Sequence, residues 1–345
     1  MSSKKDIRSL NEDELKEVLS SNSFKSFRAK QIFHWIWNKS AHSFDEMLNL
    51  PKGLIIFLKE NFVINFVKVH RMQKSLDGTI KNAIKLFDGH IVECVLIPTK
   101  SRITACVSSQ VGCSLNCKFC ATAKLKRMRN LNPDEIYDQV VLINQQAKEH
   151  FDRPLTNIVF MGMGEPLMNY NNVLKSIDRI TSKSGLGMSP KRIVVSTSGV
   201  PKMIKKIADQ GVKFKLAVSL HSAINEKRTS IMPFNDKMNL DELEEALKYW
   251  YDRTKKIITY EYVVWKGIND SDEDILALVK LCKRIPSKVN LIQYNNIDDP
   301  TFIQASSGVL NKYIKTLDSN KIKATIRKSR GQDIDAACGQ LANKS

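Results

Sequence analysis

The chain lacks several features, and each absence excludes something. No apolar run reaches the roughly 18 residues that a membrane-spanning helix needs. The opening stretch, MSSKKDIRSLNEDELKEVLSS, carries charge where a secretory signal carries an apolar segment. The expectation is a cytoplasmic protein with no membrane partner. No internal repeat and no low-complexity segment interrupts the 345 residues. With 42% hydrophobic residues, that length suits one large domain with a smaller one attached. Acidic residues are in short supply: 36 Asp and Glu stand against 54 Lys and Arg, a net charge of +18 spread along the chain. Such a field attracts polyanions, and nucleic acid is the commonest large one in the cytosol. There is no even set of cysteines either. Seven are present: Cys94, Cys106, Cys113, Cys117, Cys120, Cys282 and Cys338. An odd number in a cytosolic-looking chain argues against a disulfide scaffold and favours metal binding or catalysis.

Residues 1–70 read as a small basic helical module. NEDELKEVL begins with Asn11 as a cap and acidic residues in the first turn. SFRAKQIFHWIW has apolar residues at helical spacing, SFDEMLNLP offers a capping box from Ser43 to Glu46 and stops at Pro51, and GLIIFLKENF predicts a fourth helix. Residues 71–99 read as a linking β-hairpin around Asp88-Gly89, with Glu93 on its returning strand. From 100 to 345 the pattern alternates. Short apolar strands (TACVSS, NIVFMGM, RIVVSTS, FKLAVSLH, ITYEYVVW, VNLIQYN) are separated by helical stretches, and KATIRKS follows late. Six βα units are too few for a closed eight-fold barrel, so the fold class is α/β, a partial (β/α)6 barrel. Chemistry in such folds sits at the C-terminal strand ends, where GMGEP, STSG, SLHS and YNN cluster.

VGCSLNCKFC brings Cys113, Cys117 and Cys120 together in a C-x3-C-x2-C spacing. A structural zinc wants four ligands, and no histidine lies close in sequence. A remote fourth ligand keeps zinc open. The other solution is a [4Fe-4S] cube with three cysteine-bound irons and a fourth open for an outside ligand.

This triplet, with Phe119 before the last cysteine and a position just after the first barrel strand, resembles the radical S-adenosylmethionine (SAM) superfamily. CVSSQVGCSLNCKFCAT, FMGMGEPLMNY, STSGVPKMI, SLHSAINEKRTSIMPFN and IDAACGQL together resemble the RlmN family, radical SAM enzymes that methylate adenine C2 in 23S rRNA and tRNA. The resemblance spans nearly the whole chain. It implies a [4Fe-4S] cluster on Cys113, Cys117 and Cys120, with SAM on the open iron. It implies SAM contacts from Gly164, Glu165, Ser196, Ser219, Leu220, His221 and Asn295. It implies Cys338 as the methylated cysteine, Cys106 as its partner in a disulfide-forming resolution step, and Glu93 as the proton acceptor. It also implies two SAM per turnover, an electron donor such as flavodoxin or ferredoxin, and a monomer. No role attaches to Cys94 or Cys282.

The chemistry explains the parts. Adenine C2 is electron-poor and does not attack a SAM methyl group, whereas a deprotonated cysteine does. A base stacked in RNA hides its C2 edge, so the target is expected to be splayed out. KLKRMR, residues 124–129, puts four cations just after the triplet and is expected to contact RNA, with the N-terminal module as a second surface. Ala123, Cys94 and Asn296 stand where the family usually has Gly, Thr and Pro. Two rivals remain: the sister Cfr-type group that methylates adenine C8, disfavoured by Pro166 in GMGEP, and a zinc-stabilised RNA-binding protein with no catalysis.

Overall fold

The computed structural model describes residues 4–343. Its frame is one ten-stranded sheet whose strands lie side by side in chain order. Three antiparallel strands come first: β1 (Lys68–Lys74), β2 (Ile80–Lys85) and β3 (Ile91–Pro98). β3 pairs antiparallel with β4 (Ile103–Cys106). From β4 onward every pairing is parallel, through β5 (Asn157–Phe160), β6 (Ile193–Thr197), β7 (Lys215–Ser219), β8 (Ile258–Val263), β9 (Ser287–Ile292) and β10 (Ala324–Arg327). The sheet ends at β1 and β10, which do not pair, so the barrel stays open. The expected partial barrel is the fold, with β10 as a seventh parallel strand at the open edge.

The helices form where caps and periodicity call for them. In the N-terminal module these are α1 (Glu12–Ser21), α2 (Arg28–Phe33) and α3 (Lys52–Asn61). Asn11 and Glu14 make a reciprocal capping box on α1. The barrel helix α4 (Pro133–Phe151) opens on a capping box between Asn132 and Glu135 and buries Ile136, Val140, Ile143 and Ala147 along one stripe. The others are α5 (Tyr170–Thr181), α6 (Pro201–Asp209), α7 (Asn225–Ile231), α8 (Leu240–Thr254), α9 (Asp272–Arg284) and α10 (Ser307–Ser319).

Two segments differ from their sequence reading. SFDEMLNLP keeps its Ser43–Glu46 box but makes only the 3-10 turn Phe44–Glu46. Pro51 disfavours helix at the residue before it, leaving no length for propagation. The expected hairpin is a three-stranded meander that starts at Lys68 and extends the barrel sheet. β1 (KVHRMQK) is almost wholly exposed and shows no apolar alternation. Its Lys68, Arg71 and Lys74 guard an edge.

The helical module is clamped to the barrel by a buried ion cluster. The Arg8 guanidinium donates to both carboxylate oxygens of Asp138 at 2.9 Å and lies 3.1 Å from Asp134, both on α4. Arg179 of α5 adds cation–π contacts over Phe33 and Trp37.

Candidate active site at the strand ends

The loop after β4 carries the three clustered cysteines over a small apolar nest of Leu115, Ile231, Met232, Val263, Trp265 and Phe302. Phe119 packs edge-on to His221 at 4.6 Å and lies 5.0 Å from Trp265. The nest keeps water from the thiols. Burial pushes Cys113 up to about 11 and moves Cys117 and Cys120 in the same direction. Such thiols lose their protons readily only to a metal centre.

The same cavity is lined by Gly164, Glu165, Ser196, Ser219, His221, Asn295 and Cys338. Glu165 is buried; Oε1 accepts from Leu167 N at 3.0 Å and Oε2 from Ser198 N at 2.7 Å. Burial holds its carboxyl above the usual range, a strain that an ammonium ligand relieves. Gly164 sits at φ +94°, and a Cβ there would come within 2.9 Å of the Gln110 backbone nitrogen. Gln110 in turn accepts from Glu165 N at 2.9 Å, so the glycine lets the loop lie close enough to aim the carboxylate. His221 has φ +56° and its Nδ1 accepts from Val263 N at 3.1 Å. Burial, and then the Arg228 charge, push its pKa down to about 3, so the ring is neutral.

The C-terminal segment closes the cavity. Gly339 O accepts from Ala121 N at 2.7 Å, Leu341 O from Thr122 Oγ1 at 2.5 Å, and Cys338 O from Asn295 Nδ2 at 3.0 Å. Cys338 therefore hangs beside the cysteine loop. It also lines a second chamber, deeper in the barrel, and there it meets Cys106. Both thiols are free. Burial, and then Cys338, push Cys106 up to about 12.

Two expected site residues lie outside both spaces. Leu220 is buried behind the cavity; its backbone N donates to Glu261 O at 3.0 Å and its carbonyl accepts from Arg228 Nε at 3.2 Å. Glu93 is also buried. It lies 3.3 Å from Lys81 and accepts from Ala342 N at 2.9 Å and Asn343 N at 3.2 Å, beneath the C-terminal segment. In KLKRMR, Lys126 and Arg127 are exposed, Lys124 lies 3.7 Å from Asp299, and Arg129 is committed to Asp88 and Glu135.

Sequence reasoning missed Arg228, Glu261 and Arg327. Arg228 is wholly buried and ties two strand-end loops together through Ser198 O after β6 and Ser219 O and Leu220 O at the end of β7. Nothing in NEKRTS marks it, since a polar helix normally faces water. Glu261 and Arg327 were legible: strand alternation places Thr259 and Glu261, Lys288 and Asn290, and Thr325 and Arg327 on one face each, and those faces line the second chamber.

Residues 107–279 match the Radical SAM superfamily, and residues 5–64 match the ribosomal RNA large subunit methyltransferase N-terminal domain. The chain is 65% identical over 342 residues to a probable dual-specificity RNA methyltransferase RlmN of Christiangramia forsetii, covering 99% of this chain and 97% of the relative. The chain belongs to the RlmN family. A second relative so named, from Salinibacter ruber, is 43% identical and covers 98% of this chain and 94% of its own. A radical SAM methyltransferase from Sphaerobacter thermophilus superposes with a TM-score of 0.93 at 38% identity, covering 99% of this chain and all of its own.

Membership in the radical SAM superfamily implies a [4Fe-4S] cluster and SAM. The RlmN residues present fit them. Cys113, Cys117 and Cys120 line one cavity with Glu165, offering three thiolates to irons and a carboxylate to an ammonium. No helix among the described residues is long and apolar enough to cross a membrane.

Proposed function

We propose that this RlmN-family chain methylates C2 of adenine in 23S rRNA and in tRNA, through a methyl group carried on Cys338. The observation that carries the reading is the position of Cys338. It borders the cavity that holds the cysteine triplet and Glu165, and it also borders the chamber that holds Cys106. A methyl carrier needs access to its donor on one side and to its acceptor and resolving thiol on the other.

Cys113, Cys117 and Cys120 would hold the cluster, and Glu165, Ser196, Ser219, His221 and Asn295 would surround SAM, with Leu220 shaping the loop behind. When bound, cluster and SAM supply a one-electron cleavage that yields a 5′-deoxyadenosyl radical. The chain's own residues do the rest. The Cys338 thiolate accepts a methyl group. Arg327 lies beside it. The radical would take one hydrogen atom from that methyl group. Once the methylene carbon has joined C2, the adduct radical would return one electron to the cluster and give up its C2 proton. The Cys106 thiolate attacks the Cys338 sulfur, an S–S bond forms, the S–C bond breaks, and the released carbon takes a proton to become the methyl group. Glu93 is the group proposed to take the C2 proton. Because its carboxylate is occupied by Ala342 N, Asn343 N and Lys81, that role requires the C-terminal segment to lift first. The apolar nest excludes water from the radical. Two SAM per turnover, an outside electron donor of the flavodoxin or ferredoxin kind, a monomeric state and a cytoplasmic setting belong to the same proposal.

The test is anaerobic turnover of cluster-loaded enzyme with SAM, a reductant and unmodified 23S rRNA fragments or tRNA, followed by nucleoside mass spectrometry. 2-Methyladenosine from wild type and none from Cys338→Ala is the expected result. 8-Methyladenosine would move the chain to the sister chemistry.

A further inference from the structure

Burying a charge is costly unless an opposite charge meets it. Arg8 and Arg228 are both buried, and the chain treats them differently. Arg8 meets three carboxylates, those of Asp6, Asp134 and Asp138. Arg228, on α7, makes no close ion pair among the described residues. Its guanidinium meets neutral acceptors instead: Nε donates to Leu220 O at 3.2 Å, Nη1 to Asn235 Oδ1, and Nη2 to Ser198 O at 2.5 Å and Ser219 O at 3.4 Å. The Phe234 ring lies 5.3 Å from its central carbon. Burial pulls its pKa down to about 10, which leaves it charged at neutral pH. Gly199, at φ +105°, makes room for it, since a Cβ there would come within 3.3 Å of Nη2. Tying carbonyls together does not demand a cation. Neutral amides do so nearby: Asn169 Nδ2 joins Ser109 O and Leu131 O at 2.8 Å each, and Asn269 Nδ2 joins His221 O and Val263 O. The positive charge of Arg228 therefore needs a separate reason.

Arg228 borders neither the cavity nor the second chamber, so it sits behind the wall that a small molecule would touch. Beyond it lies the cysteine loop. One turn further along α7, Ile231 O accepts from Lys118 N at 3.0 Å, and Ile231 and Met232 pack in the apolar nest with Leu115 and Cys117. Burial, and then the charges of Cys120 and Cys113, push the Cys117 thiol up, and the Arg228 charge acts against them. An apolar nest screens such a charge far less than water does. Three thiolates on an iron–sulfur core make a negative unit, and an added electron makes it more negative. That unit is the anion that Arg228 otherwise lacks.

Resting on the assignment of the cluster to Cys113, Cys117 and Cys120, we propose that Arg228 is the buried counter-charge of that cluster: through Cys117 and the nest it favours the reduced state over the oxidised one and raises the potential at which an electron is accepted. Net charge and burial are among the levers that set iron–sulfur potentials. Arg228 touches neither SAM nor RNA. It is a positioning residue whose effect is electrostatic. One electron passes from the outside donor to the cluster, and no bond to Arg228 forms or breaks.

The test is an anaerobic potentiometric titration of the full-length, cluster-loaded enzyme without RNA, with dithionite as the reductant and electron paramagnetic resonance as the readout. Arg228→Gln removes the charge and keeps amide donors. Asn235→Asp leaves Arg228 in place and sets a carboxylate against Nη1, so the test survives if Arg228→Gln does not fold. Arg228→Lys keeps the charge and gives up part of the hydrogen bonding. Arg253→Gln, exposed on α8, is the control for charge at a distance. In both charge-cancelling variants the ratio of reduced to oxidised cluster at a fixed potential should fall about tenfold, a midpoint about 59 mV lower for one electron. Arg228→Lys and Arg253→Gln should hold the wild-type midpoint. A merely structural role would instead weaken SAM binding, read by calorimetry, in Arg228→Gln and Arg228→Lys alike and leave the midpoint in place. Wild-type midpoints in Arg228→Gln and Asn235→Asp, or a fall in Arg228→Lys as large as in Arg228→Gln, would overturn the counter-charge and leave the methyltransferase reading standing. The expected shifts, in an enzyme whose wild type yields no 2-methyladenosine, would keep the counter-charge and sink the C2 assignment.

Discussion

On one side of the Cys338 segment the barrel is walled by thiols, aromatic rings and glycines; on the other it is walled by lysine, threonine and asparagine. The upper cavity is backed by Phe119, Trp265 and Phe302 and holds groups whose protonation burial has shifted: thiols and a carboxyl upward, an imidazole downward. In the lower chamber Lys215 and Lys288 are exposed to solvent. A radical demands a dry, prearranged enclosure, whereas solvated cations act on charged groups over distance. Building both into one open barrel requires that strand residues change character partway along their length. β8 does so, running from Thr259 through Glu261 to Val263 on its inward face.

The comparison breaks most completely at the cysteine loop. Cys117→Ala removes one of three thiolates from the nest, so reconstituted protein should bind well under half the wild-type iron and form no methylated adenosine. Iron assay and visible absorbance check it. RNA affinity should be unchanged. Iron retention at the wild-type level would mean the triplet is not the cluster site.

Arg228→Leu comes next. It strips donors from Ser198 O, Ser219 O and Leu220 O in the dry half. Leaving those buried carbonyls unpaired should cost about 3 kcal/mol of unfolding free energy, read in a urea melt. A matched change in the wet half, Lys288→Gln, should fall within about 0.5 kcal/mol.

Acid should sharpen the contrast further. His221 is held neutral, with its pKa pushed down to about 3 by burial and then by Arg228. Below the ordinary imidazole value of about 6.5, the unfolded chain binds a proton that the folded chain refuses. Stability from this group is present above about pH 6.5 and is lost as the pH falls toward 3. Between pH 7.5 and 5 the loss should be about 2 kcal/mol. His221→Asn tolerates the positive φ and can accept from Val263 N, and it should flatten that slope. A slope unchanged in the variant would move the effect elsewhere. The smallest effect belongs to Lys126→Gln/Arg127→Gln on the exposed face of the cysteine loop, where about a threefold loss of RNA affinity is expected at low salt and almost none at 0.3 M.

Much of this was readable in one dimension. The C-x3-C-x2-C spacing, the Asn11 and Asn132 caps, and the alternation of short apolar strands with capped helices act over a few residues, so local rules reach them. β1 was not readable, because an edge strand covered with cations shows no burial pattern. Glu93 was ambiguous, because alternation alone allows its side of the strand to face water, and only the segment folded over it decides otherwise.

The sequence by itself determined the barrel, the cysteine loop and the family, because each is a pattern of neighbours. Only the tertiary structure decided what meets across distance. Thr122 and Leu341, 219 residues apart, share a hydrogen bond that sets Cys338 on the wall between the chambers. It also decided which cations are spent: Arg8 and Arg129 are consumed by buried carboxylates, while Lys215 and Lys288 make no close ion pair among the described residues. The reason is physical. Charge and thiol chemistry depend on burial and on partners, and those are settled by packing among distant segments.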